Sequence, residues 1–190
     1  MIHSVDSRNK SADHGLLAAP PGSPARRYPL YLGRVPEVVV GRHLQESFIE
    51  GSSATSCPPL GDVGSREIVR SDPVLAELRR RCAIRGLTFA EKAPRPYPLA
   101  DYTFGAGSVF PHDDDGFGLT AGVLVATAPL AEHLYEWDEK EKCVLFAARS
   151  RLELKIGDAF VFNANKEHAW MANCRWVLAL HHVCPMKKKK

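Results

Sequence analysis

The chain is 190 residues long, 45% hydrophobic and 25% charged, the composition of one globular domain with enough apolar residues to build a core. Its net charge of +3 comes partly from the terminal lysine run 187–190. The near-neutral remainder argues against a domain built to grip nucleic-acid backbones, so nucleic acid is a partner the sequence allows without indicating. Five widely spaced cysteines (Cys57, Cys82, Cys143, Cys174 and Cys184) argue against a disulfide framework or a zinc knuckle, and no apolar stretch is long enough to span a bilayer. Free thiols, no membrane partner and a cytoplasmic location are therefore expected.

Residues 1–27 are rich in Ser, Pro, Gly and charged residues and read as a disordered arm without the features of a secretory signal. Residues 28–185 are expected to form a single domain, followed by a basic tail over 186–190. Residues 28–32 and 37–40 read as short strands separated by Gly33 and Pro36. Residues 41–50 suit a short helix, and 51–66 a long loop of Gly, Ser and Pro. The clearest helix runs from 73 to about 85: Ser71 or Asp72 caps it, Pro73 opens it and Gly86 ends it. Val74, Leu75, Leu78, Cys82 and Ile84 are expected to form its apolar side, with Arg79, Arg80, Arg81 and Arg85 facing solvent. From Leu87 the chain reads as strand after strand: 99–104, 107–113, 119–127, about 132–137, 142–147, 151–155, 158–163, 168–172 and 175–183. Short, regularly spaced strands with few helices predict a mainly β sandwich or barrel.

The stretch Gly107-Ser108-Val109-Phe110-Pro111-His112-Asp113-Asp114-Asp115-Gly116 is the richest in chemistry. In an extended backbone, residues i and i+2 share a face. His112 and Asp114 would then offer an imidazole and a carboxylate to one point, two ligands of a 2-His-1-carboxylate iron site. Asp113 and Asp115 compete for the carboxylate position, and the period of two selects Asp114. His168, delivered by a polar loop after the apolar strand 158–163, is the candidate for the second histidine. On the strand that follows, alternation groups Arg175, Val177, Ala179 and His181 on one face and Trp176, Leu178, Leu180 and His182 on the other. An arginine on an apolar strand face needs a partner, and a carboxylate ligand would supply one.

The second half of the chain, residues 87 to 183, resembles the Fe(II)- and 2-oxoglutarate-dependent dioxygenases. The likeness lies in His112 and Asp114 as an H-x-D pair, the Gly157-Asp158-Ala159-Phe160-Val161-Phe162 strand, His168 as the distal histidine and Arg175 beyond it. Tyr102-Thr103-Phe104-Gly105 resembles the family's strand ahead of H-x-D. The resemblance implies a double-stranded β-helix (jelly-roll, cupin-like) with N-terminal helical support. It implies His112, Asp114 and His168 as catalytic ligands of Fe(II), and Arg175, with Tyr102 or Thr103, on the far carboxylate of 2-oxoglutarate. The implied activity is that of a hydroxylase: with O2, and ascorbate as the reductant in vitro, it would hydroxylate an unidentified protein side chain, small molecule or nucleobase and release succinate and CO2. The alternative on the same fold is a cupin-like metal- or ligand-binding protein that does not turn over 2-oxoglutarate.

Overall fold

The computed structural model describes residues 28–40, 63–68, 71–92, 98–114, 116–129 and 141–187. The expected N-terminal arm, the helix at 41–50 and the strand at 132–137 lie outside them. The elements in chain order are β1 (Leu30–Arg34), α1 (Glu37–Val40), β2 (Val63–Glu67), α2 (Pro73–Ile84), β3 (Leu87–Phe89), β4 (Ala100–Ala106), β5 (Val109–His112), β6 (Leu119–Pro129), β7 (Cys143–Ala147), β8 (Ser150–Leu154), β9 (Asp158–Asn163), β10 (His168–Ala172) and β11 (Cys174–Pro185).

Among these residues the strands form two antiparallel sheets. The larger runs β1-β9-β6-β11-β4-β2, with β3 also pairing to β11; the smaller runs β5-β10-β7-β8. From β4 onward the chain winds between them: β4, β6, β9 and β11 enter the large sheet, and β5, β7, β8 and β10 the small one. This winding is the double-stranded β-helix, a jelly roll. The fold is mainly β, as the strand pattern predicts.

Two apolar clusters hold it together. One fills the space between the sheets and includes Leu124, Leu145, Phe160, Phe162, Trp170, Trp176 and Leu178. The other lies on the outer face of the large sheet, where Val123, Val161, Val177 and Ala179 meet Val74, Leu75, Leu78 and Cys82 of α2. Each large side chain so buried contributes roughly 1.5–3 kcal/mol of transfer free energy. Along β11 the assignment alternates: Cys174, Trp176 and Leu178 belong to the inner cluster, Val177 and Ala179 to the outer. A strand covered on both faces reads as the near-continuous apolar run seen in the sequence.

The helix begins where its capping chemistry dictates. Asp72 accepts a hydrogen bond from the Val74 backbone N–H (2.8 Å) through Oδ1, and Pro73 occupies the first turn. The other carboxylate oxygen of Asp72 accepts from the Tyr102 hydroxyl at 2.6 Å, which fastens the cap to β4. Gly86, at φ +64°, takes the left-handed conformation that closes the helix. Arg81 departs from the expected solvated face. It pairs with Glu77 and donates to the carbonyls of Leu32 and Arg34, tying the helix to β1. Arg79 lies over the Phe89 ring at 5.0 Å.

Three further expectations change. Residues 37–40 form a short helix rather than a strand, because the Pro36 carbonyl accepts from the N–H groups of Val39 and Val40. The end of the expected 51–66 loop is strand: β2 adds to the exposed edge of β4 through backbone pairing, which needs no apolar pattern. Gly33 lies inside β1 as a bulge rather than ending it. The Gly157-Asp158 pair is a structural junction. Gly157 has φ +90°, and a Cβ there would lie 2.8 Å from the Val35 carbonyl oxygen. The buried Asp158 carboxylate accepts from the Tyr31 hydroxyl (2.9 Å), Arg34 Nε (3.2 Å) and the Lys155 N–H (2.8 Å), clasping β1 onto β9. No helix among the described residues is long and apolar enough to cross a membrane.

Candidate metal centre

The H-x-D stretch meets the distal histidine at one end of the small sheet. His112 closes β5, His168 opens β10, and the two are directly opposed across the antiparallel ladder. Their rings lie 4.3 Å apart, tilted by 53°. Asp114 sits just beyond β5, so strand alternation alone does not place it. Its N–H donates to the Ala164 carbonyl (2.9 Å) and its carbonyl accepts from the Phe117 N–H (3.2 Å), pinning the loop after β5 against the loop before β10. One Asp114 oxygen then lies 3.9 Å from His112 Nε2 and the other 3.5 Å from His168 Nε2. One ligand atom from each of the three residues lies within 4.8 Å of the other two. Asp113 is exposed, and Asp115 falls outside the described residues.

The ring orientations suit a cation. His112 Nδ1 lies 2.7 Å from the Phe110 carbonyl and His168 Nδ1 lies 3.0 Å from the Lys166 carbonyl. A carbonyl only accepts, so Nδ1 carries a proton in both rings, which leaves each Nε2, on the Asp114 side, as the nitrogen available to a metal ion. Two imidazole nitrogens and one carboxylate fit a divalent first-row metal, with open positions on the other side. Cis ligands on such an ion stand about 3 Å apart, so the observed separations need only a small inward movement. His168 is buried between the sheets, with the Phe162 ring 4.9 Å away. Burial pushes its pKa down, against the opposing pull of the Lys166 carbonyl and Asp114, and favours the neutral ring that a metal requires. Asp114 and His112 are more open, with 37% and 39% of their side chains exposed, so the centre faces the mouth of the barrel.

The residues expected on the 2-oxoglutarate carboxylate do not join this cluster as a group. Arg175 opens β11 opposite Ala106 and Ala128, on the face it shares with Val177 and Ala179. That face packs toward α2, whereas Trp176 and Leu178 point between the sheets. Strand parity alone therefore groups Arg175 with the outer face, and its expected place on the 2-oxoglutarate carboxylate remains a proposal. Tyr102 likewise belongs to the outer cluster, and its hydroxyl serves Asp72. Thr103 does face inward. It lines a half-open cavity of about 190 Å³ and donates to Asp101 Oδ2 at 2.9 Å.

The same cavity collects residues that sequence reasoning missed: Asp101, Thr120 and His182. Their signal was alternation, since Asp101 and Thr103 share one face of β4, but the sequence does not say which face is inner. Phe162, Thr120 and His182 form one in-register row across β9, β6 and β11. The row leads from the ring beside His168 to the cavity. The Phe117 ring contacts His182 at 4.9 Å and its carbonyl accepts from His182 Nδ1 (3.1 Å), so Phe117 forms the wall between cavity and metal loop. Burial lowers the His182 pKa and raises that of Asp101.

No protein-family model and no curated protein sequence matches the chain. Solved structures of similar shape include the non-haem alpha-ketoglutarate-dependent epimerase SnoN from nogalamycin biosynthesis (15% identity, TM-score 0.46, covering 80% of this chain and 74% of that one). A prolyl-4-hydroxylase of Pseudomonas putida is similar at 12% identity and TM-score 0.45, covering 80% and 89%. A cupin superfamily protein of Desulfitobacterium hafniense DCB-2 is similar at 14% identity and TM-score 0.35, covering 68% and 83%. Superposition at these values identifies no activity; the strand order and the His-Asp-His geometry stand on their own.

Proposed function

We propose that the chain is a mononuclear Fe(II) oxygenase that uses 2-oxoglutarate to hydroxylate an unidentified substrate. The convergence of His112 Nε2, His168 Nε2 and the Asp114 carboxylate, with both Nδ1 positions engaged by backbone carbonyls, carries this reading. His112 and His168 would hold the ion as neutral imidazoles, and Asp114 would offset its charge. The Phe110 and Lys166 carbonyls fix the ring planes. Phe162 and Trp170 keep water from the buried side of His168. When bound, Fe(II) with O2 and 2-oxoglutarate supplies oxidative decarboxylation to succinate and CO2, coupled to hydroxylation.

One observation favours a second reading, a cupin-like metal protein that does not turn over 2-oxoglutarate. Arg175 shares its strand face with Val177 and Ala179 of the outer cluster, and among the described residues no Lys or Arg lines the cavity beside the metal loop. A five-carbon diacid would then have to find its counter-charge outside the described barrel-facing residues. Aerobic incubation with Fe(II), ascorbate and 2-oxoglutarate decides between them. Succinate that depends on iron, and disappears in Asp114→Ala, supports the oxygenase. Iron bound without succinate gives the second reading.

A further inference from the structure

The cavity behind Phe117 has three features that packing alone does not account for. Thr120, 3% exposed, lines the cavity, and its buried hydroxyl has no hydrogen-bond partner among the described residues. A buried polar group left unpaired costs stability that Val, of nearly the same shape, would not. Asp101 lines the cavity and accepts from the Thr103 hydroxyl through Oδ2. Burial raises its pKa, against the opposing pull of the Thr103 hydroxyl and of His182 on the same wall. The lining also contains Ser65, His181 and His182, and among the described lining residues there is no Lys or Arg, so Asp101 is the formally charged side chain there at neutral pH. A volume of about 190 Å³ accommodates several water-sized groups.

We propose that this cavity binds the ammonium end of a primary amine, with Asp101 as its counter-ion and Thr120 as a further acceptor. An R–NH3+ group has three donors and no acceptor. Those donors match the Asp101 carboxylate, the Thr120 oxygen and a third acceptor such as the Ser65 hydroxyl. Phe117 and Leu180 supply apolar surface for the carbons next to the nitrogen. An anion would meet the Asp101 carboxylate. Phe117, three residues past Asp114, separates this cavity from the metal loop. That the amine is the metal centre's substrate rests on the function proposed above; the preference of the cavity for a cation does not.

The test uses metal-free full-length protein, titrated by calorimetry at constant ionic strength with n-propylammonium, 1-propanol and propionate. Propylammonium should bind at least about tenfold more tightly than the other two, as expected for a charge-assisted bond in a part-buried site. Asp101→Asn, which keeps an acceptor for Thr103, should reduce that preference to about twofold or less. Thr120→Val should weaken the amine while raising the melting temperature of the ligand-free protein, a combination that a purely structural threonine would not give. Equal or tighter binding of propionate, or an unchanged preference in Asp101→Asn, overturns the proposal. Co(II) titration of the same protein separates the two readings: amine binding without Co(II) binding sinks the metal centre and keeps the cavity, and Co(II) binding without amine preference does the reverse.

Discussion

Replacing Tyr102 by Phe separates a role at the metal from a role in the scaffold. The Tyr102 hydroxyl, on a residue 6% exposed, donates to Asp72 at 2.6 Å, and burial together with this bond raises its pKa above the ordinary value of 10. A hydrogen bond to a charged acceptor contributes about 1.5–3 kcal/mol. Tyr102→Phe leaves Asp72 half-buried with its Val74 bond intact, so the loss should fall near the lower end, about 1–2 kcal/mol. Asp72→Ala removes the cap, about 1 kcal/mol, and strands the tyrosine hydroxyl, about 1–3 kcal/mol. The two changes share one interaction, so the double variant should cost about 1–2 kcal/mol less than the sum. Urea denaturation of the metal-free protein reads this directly, and in a chain of this size each kcal/mol appears as about 2–4 °C in Tm. Strict additivity, or a Tyr102→Phe variant of normal stability with weakened 2-oxoglutarate binding, would refute the placement of Tyr102 on the outer face.

The same reasoning yields four further expectations. Arg175→Gln should leave half-saturation by 2-oxoglutarate within about twofold; a rise of tenfold or more, some 1.4 kcal/mol, would return Arg175 to the site. His112→Ala or Asp114→Ala should weaken Co(II) binding, followed by visible absorption, by more than the roughly 10–100-fold typical of losing an outer-shell partner, with the circular dichroism of the fold retained. The metal-free protein should lose stability in acid: the pKa values of His168 and His182 are lowered by burial, so the unfolded chain takes up protons first. Stability should be full above the unfolded value of about 6.5 and fall as the pH drops toward the lowered folded values, with a flatter urea-midpoint profile in His182→Asn. Brief maleimide treatment should label exposed Cys184 but spare Cys82, Cys143 and Cys174 until the protein unfolds; early labelling of Cys143 or Cys174, buried with Sγ atoms 3.6 Å apart, would contradict the closed barrel end.

The strands from β4 onward were legible because alternation and turn residues punctuate them, and His112 and His168 were legible because each ends or opens such a strand. Asp114 was selected from its triplet by a strand-parity rule, yet β5 ends at His112. The position of Asp114 comes instead from its backbone bonds to Ala164 and Phe117. The residue agrees with the expectation while the cause differs. β2 left no pattern to read, since an edge strand of Val, Gly, Ser, Arg and Glu is held by ladder hydrogen bonds. Glu37–Val40 misled because valine favours strands intrinsically, and the Pro36 turn overrides that preference.

Alternation divides a strand into two sets of residues but does not say which set faces inward, and here that choice decides the chemistry. On β11 it groups Arg175 with Val177 on the outer face and puts Trp176, Leu178 and Leu180 between the sheets. On β4, its neighbour in the ladder, Leu180 stands opposite Asp101 and Leu178 opposite Thr103, so the inner face gains a carboxylate and a hydroxyl where an inward arginine was expected. A slip of one residue in either strand would reverse every assignment. Slippage is opposed by the apolar side chains themselves, since it would expose Val177 and Ala179 to the wrong layer and drive Trp176 into α2. The apolar packing that fixes the register therefore also fixes the sign of the charge beside the metal loop.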